Sequence, residues 1–216
     1  MRKQARPSLG FTWFVRITGA LAALPLFKPK VYCKNKEKQG KKLKKPSILV
    51  SNHVSLLDFV LYLFVFWRNF IHFQVAEVMF NKSKFMNWLL LKLGCIRVDR
   101  NQFDFGFVGD SLELLDKGEI VGIFPSGRLP IDGKPFPFKP SVIFIALRTD
   151  APIIPVYTDG QYGLFKRARV VIGEPLYIRD YCKTEEPDQQ ELDALTRMLE
   201  EKVYALRDCI EERFRK

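Results

Sequence analysis

Apolar positions in the middle of the chain come in short runs of four to six, separated by stretches in which they recur every three or four residues. Short apolar runs bounded by turn residues read as buried strands, and the longer period reads as helix. Strands are therefore expected at 47–51, 71–76, 95–98, 119–124, 153–157 and 169–172. Helices are expected at 56–67, 81–93 and 108–117, the last stopping before Gly118, with a buried helix at 141–148. This alternation predicts an α/β domain: a mainly parallel or mixed sheet flanked by helices.

Both ends of the chain break the pattern. Asp188 with Glu191 three positions later is a capping signature, and Leu192, Leu195, Leu199, Leu206, Ile210 and Phe214 then keep helical spacing. An amphipathic C-terminal helix is expected within 181–216. At the other end, residues 9–27 are almost wholly apolar, but Arg16 interrupts them and Pro25 lies near their end. Within it the longest uncharged run, 17–27, has 11 residues, against the roughly 20 that a spanning helix needs. Arg16 also spoils a secretory signal, although Arg2, Lys3 and Arg6 precede the apolar stretch. The segment reads as a helix or hairpin lying in a membrane interface, with Phe11, Trp13 and Phe14 dipping into the headgroup boundary. Nine lysines follow between Lys28 and Lys45, opposed only by Glu37. Beside anionic lipid each such charge contributes about 1 kcal/mol; the plainer reading is a solvated basic loop after a core helix. The chain thus divides into an N-terminal interfacial segment with its basic stretch (1–45), an α/β core (46–180) and the C-terminal helix (181–216).

Composition sharpens this only in part. The 216 residues carry 35 Lys and Arg against 24 Asp and Glu, a formal charge of +11. That surplus favours an anionic partner, whether membrane lipid, nucleic acid or a phosphorylated substrate. No nucleic-acid motif accompanies the lysines, so nucleic acid is not expected. The 19 phenylalanines hint at lipid contact. Cys33, Cys95, Cys182 and Cys209 form neither a CxxC pair nor a zinc spacing. They read as reduced thiols in a chain facing the cytosol, and no metal is expected.

Acid–base chemistry near neutral pH has two candidates, His53 and His72. His72 sits inside an apolar run and reads as a core or surface residue. His53 stands where a strand gives way to a helix, and the ends of buried strands in α/β folds open onto the ligand crevice. Asp58 falls five positions later, in the first turn of that helix. A turn at Val54–Ser55 lets its carboxylate point back at the imidazole, fixing the tautomer and stabilising an imidazolium. Ser55 and Asp58 also match a capping box, in which the carboxylate satisfies a backbone N–H. The two roles are compatible, because a carboxylate has two oxygens.

Asn52, His53 and Asp58 together resemble the H-x4-D block of the glycerolipid acyltransferase family, typified by 1-acylglycerol-3-phosphate acyltransferases. Three more blocks follow in the family's order: Gly94–Arg100, ending in Asp99-Arg100; Ile123–Arg128, similar to F-P-E-G-T-R; and Phe138–Ser141 followed by Ala151–Val156. The likeness spans roughly residues 10–180. It departs from the pattern at Ser126, which stands in place of the family's Glu, and at Arg128, one position early. The resemblance implies acyl transfer from a thioester, either acyl-CoA or acyl carrier protein, to the free hydroxyl of a lysophospholipid, most simply 1-acylglycerol 3-phosphate, at the cytoplasmic face of a membrane. No cofactor is implied, since the thioester is already activated. His53 becomes the general base, oriented by Asp58, and backbone amides after His53 become the oxyanion donors. Arg128, Arg100 and Lys139 become the phosphate ligands, with Gly127 in the same turn as Arg128. The acyl chain is expected along Phe59, Leu63, Phe64 and Phe66. Ser126 leaves two alternatives open: a different acceptor, or a catalytically impaired membrane-surface protein of the same fold. A serine nucleophile is disfavoured, because G-x-S-x-G needs glycines where Phe124 and Arg128 stand.

Overall fold

The computed structural model describes residues 8–99 and 106–214, and within them all side chains but those of Ala22, Leu24 and Phe214. In chain order the N-terminal half forms α1 (Leu9–Phe27), β1 (Lys30–Cys33), β2 (Ser47–Ser51), α2 (Leu57–Val65), β3 (Ile71–Ala76), α3 (Glu77–Phe80), α4 (Lys84–Lys92) and β4 (Ile96–Val98). The C-terminal half forms α5 (Gly106–Asp116), β5 (Ile120–Ile123), α6 (Ser141–Leu147), β6 (Ile153–Thr158), β7 (Arg169–Ile172), α7 (Gln189–Tyr204) and α8 (Leu206–Phe214). The strands make one mixed sheet in the order β1-β7-β6-β2-β5-β3-β4, with every pair parallel except β6 with β7.

The sheet is covered on both faces, which is why its central strands read as continuous apolar runs. Ala23 and Phe27 of α1 and Leu61, Tyr62 and Val65 of α2 fill one face. Val108 and Leu115 of α5, Val142 and Ile143 of α6, and Leu199 of α7 fill the other. The chain therefore leaves β2 toward one face and its neighbour β5 toward the opposite face. Where adjacent strands diverge in this way, the sheet opens a crevice at their carboxyl ends.

β1, α4 and the C-terminal helix differ from expectation in ways the contacts explain. β1 lies inside the basic stretch, hidden by its charge: an edge strand tolerates exposed lysine, and Lys30 is exposed while Cys33 is buried. The helix expected from residue 81 starts at Lys84, because the Ser83 hydroxyl accepts the Met86 N–H at 3.0 Å and fixes the start there. The C-terminal apolar stripe is split at Ala205 into α7 and α8, although Leu199, Val203, Leu206 and Ile210 are all buried.

Residues 9–27 form a helix and not a hairpin, and ahead of Ala23 and Phe27, which enter the core, α1 is inside out. Leu9, Trp13, Phe14, Ile17 and Leu21 are exposed, whereas Thr12 and Arg16 are buried. The Arg16 guanidinium donates to the carbonyls of Trp67 at 2.5 Å and Asn69 at 2.6 Å. These carbonyls lie in the turn that follows α2, and they give the buried guanidinium the partners a buried charge requires. Burial pushes the Arg16 pKa down from its ordinary value. The charge that interrupts the apolar stretch thus fastens α1 to α2. Among the described residues, no helix is long and apolar enough to cross a membrane.

Candidate active site

β2 ends at Ser51, and the next side chain, Asn52, is buried. Its amide donates to the Thr158 carbonyl at 2.8 Å and accepts the Thr158 N–H at 2.9 Å, tying the end of β2 to the end of β6. The chain then turns, and His53 Nδ1 lies 2.9 Å from Asp58 Oδ2. Asp58 is fully buried in the first turn of α2. Its Oδ2 also accepts the N–H groups of Val54 at 2.7 Å and Ser55 at 2.9 Å, and its Oδ1 accepts the Tyr162 hydroxyl. The Ser55 hydroxyl accepts the Leu57 N–H at 3.1 Å. One carboxylate thus both holds the turn before α2 and orients the imidazole, and each of its oxygens has a donor, as a buried carboxylate requires. A carboxylate only accepts, so Nδ1 carries the proton, and in the neutral tautomer that this selects, Nε2 is the atom left with a lone pair.

The His53 ring stacks on Phe124, with centroids 4.3 Å apart and planes 23° apart. Phe124 is the first residue beyond β5, and its ring also stacks on Phe73 at 5.6 Å. The adjacency of β2 and β5 therefore brings the turn after β5 beside His53. In that turn Gly127 adopts φ +62°, a left-handed conformation that favours glycine. The buried Ser126 hydroxyl donates to the Arg128 carbonyl at 3.0 Å. The Lys139 N–H donates to the Pro125 carbonyl at 3.1 Å, bringing the far arm of the same loop back onto the turn. A Cβ on Gly127 would stand 3.8 Å from Lys139 Nζ. Arg128 is exposed, with its guanidinium 5.7 Å from the Phe136 ring centroid. Asn52, His53, Ser126, Gly127, Arg128 and Lys139 are thus gathered on two neighbouring loops, with Asp58 in the first turn of α2 against His53. Arg100 lies outside the described residues.

Two expectations need correction. The amides of Val54, Ser55, Leu57 and Asp58 are engaged by the Asp58 carboxylate, the Ser55 hydroxyl and the Ser55 carbonyl, so these four are not available to an oxyanion. Leu63 and Phe66 are buried core and line no open acyl path; the exposed apolar side chains next to His53 are Val54, Leu56 and Leu57. His72 is core: it is buried in β3 with Nδ1 2.8 Å from the Gly94 carbonyl, and burial lowers its pKa from the ordinary value. Sequence reasoning missed Tyr162, whose hydroxyl reaches Asp58 across 104 positions of chain, a distance at which spacing carries no signal. All four cysteines are free thiols, and burial pushes the Cys95 thiol up. Among the described residues no three His, Cys, Asp or Glu side chains converge as metal ligands would.

A buried carboxylate behind an imidazole at the mouth of an α/β crevice is the equipment of an enzyme that moves a proton during group transfer. The family model "Acyltransferase" matches residues 30–159, more than half of the chain. The chain is 30% identical over 147 residues to the 1-acyl-sn-glycerol-3-phosphate acyltransferase of Bacillus subtilis, covering 66% of this chain and 71% of that one. It is 25% identical over 158 residues to the enzyme of the same name from Borreliella burgdorferi, covering 69% of this chain and 62% of the relative. Its fold matches the crystal structure of the 1-acyl-sn-glycerophosphate (LPA) acyltransferase of Thermotoga maritima with a TM-score of 0.63 at 23% identity, over 91% of this chain and 79% of that one. The chain belongs to the Acyltransferase family, and it is an acyltransferase.

Proposed function

We propose that the enzyme transfers a fatty acyl group from an acyl thioester to the free hydroxyl of 1-acylglycerol 3-phosphate, giving phosphatidate. The observation that carries this reading is the 2.9 Å contact between His53 Nδ1 and the buried Asp58 carboxylate. The acceptor hydroxyl oxygen attacks the thioester carbonyl as Nε2 of His53 takes its proton, and the imidazolium so formed faces Asp58. When the tetrahedral intermediate collapses, the C–S bond breaks and Nε2 returns the proton to the departing thiolate. A positioned base of this kind contributes about 10²–10⁴-fold. Arg128 and Lys139, on the loop that starts at the ring stacked on His53, supply fixed positive charge for the acceptor phosphate, with Arg100 as a third candidate. A guanidinium suits this task because it pairs two phosphate oxygens at once and keeps its charge.

The outward stripe of α1 supports a place on the membrane surface. A helix that turns Leu9, Trp13, Ile17 and Leu21 outward and Arg16 inward suits an apolar medium outside, and Trp67, Phe85 and Trp88 extend the exposed apolar surface. Both acceptor and product are lipids, so such a surface delivers one and receives the other. Ser126, where the family carries a carboxylate, supports two other readings: a different acceptor, or a catalytically impaired membrane-surface protein of the same fold. Purified full-length protein in phosphatidylglycerol-containing vesicles, offered labelled palmitoyl-CoA and a panel of acceptors, tests the proposal. Lysophosphatidate should outpace glycerol 3-phosphate and lysophosphatidylcholine; faster acylation of either competitor would overturn the assignment of the acceptor.

A further inference from the structure

The Asp58 carboxylate is held unequally. Oδ2 has three neighbours from its own stretch of chain: His53 Nδ1 and the N–H groups of Val54 and Ser55. Oδ1 accepts the hydroxyl of Tyr162, which comes from the loop after β6. That loop is pressed against the turn that carries His53. Gly160 has φ +66°, and a Cβ there would meet Val54 Cγ2 at 2.5 Å. The loop is also fastened to the end of α1. The Gly163 N–H donates to the Leu26 carbonyl at 2.9 Å, the Ala168 N–H to the Phe27 carbonyl at 2.8 Å, and the Lys28 ammonium to the Leu164 carbonyl at 2.6 Å. The Phe27 ring meets the Tyr162 ring edge-on, with centroids 5.2 Å apart.

We infer that Tyr162 is a positioning residue for the His53–Asp58 pair, and that through it the docking of α1 sets the orientation of the base. This inference rests on the proposed role of His53. Without the Tyr162 donor, the buried Oδ1 loses its hydrogen bond while Oδ2 keeps those of Val54, Ser55 and His53, so the carboxylate plane tilts about Oδ2 and the Nδ1–H bond changes with it. Burial and the nearby Asp58 charge push the Tyr162 phenol far above its ordinary pKa, so it stays a donor at every working pH. Tyr162 acts on the imidazole through Asp58, and Tyr62 on α2 is the other phenol whose pKa the Asp58 charge raises.

The test is Tyr162→Phe in the full-length chain reconstituted in phospholipid nanodiscs, which removes the hydroxyl and keeps the ring against Phe27. Two readouts are taken: steady-state acyl transfer from palmitoyl-CoA to lysophosphatidate, and the imidazole ¹⁵N and N–H signals of protein labelled at histidine. The chain has two histidines, so His72 is an internal reference. The expected result is a fall in kcat of about tenfold with each KM within about twofold, together with a shifted His53 Nδ1–H signal and unmoved His72 signals. Phe27→Leu, which keeps the hydroxyl and loosens its support, should move the His53 signal in the same direction by less. A His53 signal unchanged in Tyr162→Phe would overturn the positioning role, and one unchanged in Phe27→Leu would overturn the link to α1. Because the spectra need no turnover, a wild-type protein inactive on lysophosphatidate would refute the proposed reaction and leave this test standing.

Discussion

His53 and His72 stand two strands apart in one sheet, and each has Nδ1 within 3 Å of a single oxygen: 2.9 Å to Asp58 in one case and 2.8 Å to the Gly94 carbonyl in the other. What separates them is the charge on the partner and the place along the strand. His72 lies within β3, is 3% exposed, and faces a neutral carbonyl, so burial favours its uncharged form. His53 lies just past the end of β2, at a crevice mouth, and faces a carboxylate that can stabilise the imidazolium. A hydrogen bond at Nδ1 therefore does not by itself mark a base. In the proposed mechanism, position at a strand's carboxyl end and an anionic partner set His53 apart from His72.

The comparison breaks first if its carboxylate is neutralised. Asp58→Asn keeps the size of the side chain but removes the charge and lets an amide face Nδ1, so kcat/KM for acyl transfer should fall on the order of 10³-fold, measured by labelled product formation. It sharpens next at the loop after β5. Arg128→Ala should raise KM for lysophosphatidate by about tenfold and leave KM for the acyl donor within about twofold; equal changes in both would assign Arg128 a structural role. The smallest effect on turnover belongs to His72→Asn, in which an amide N–H replaces Nδ1–H toward the Gly94 carbonyl. Activity should stay within about twofold of wild type, and the informative readout is stability. The His72 pKa is lower in the folded chain than in the unfolded chain, so the unfolded chain takes up the proton first. Its contribution is present above the ordinary value of about 6.5 and is lost as pH falls through the folded value, at no more than about 1.4 kcal/mol per pH unit. Denaturant titrations across this window should show a shallower acid loss in His72→Asn than in wild type.

Much of this was legible in local spacing. The covered sheet makes β2, β3 and β7 short, mainly apolar stretches, and all three strands occupy the expected residues. The His53–Asp58 pairing follows from five residues of separation across a strand-to-helix turn. Other features depend on contacts that spacing does not encode. β1 is concealed because only Cys33 among its residues is buried. The inside-out placement of α1 is hidden because apolar residues surround Arg16 on every side of the helix, so the period does not reveal which face turns inward. Tyr162 joins Asp58 only after β6 has been laid beside β2, and the amides of Val54 and Ser55 look free until the carboxylate is seen to hold them.

The most direct measurement is single-substitution turnover at position 53. Purified wild-type and His53→Ala proteins in vesicles, with palmitoyl-CoA and lysophosphatidate, should differ by at least about 10³-fold in phosphatidate formation, while melting temperature and vesicle binding agree. His53→Ala protein that forms phosphatidate within about tenfold of the wild-type rate would contradict the assignment of His53 as the base.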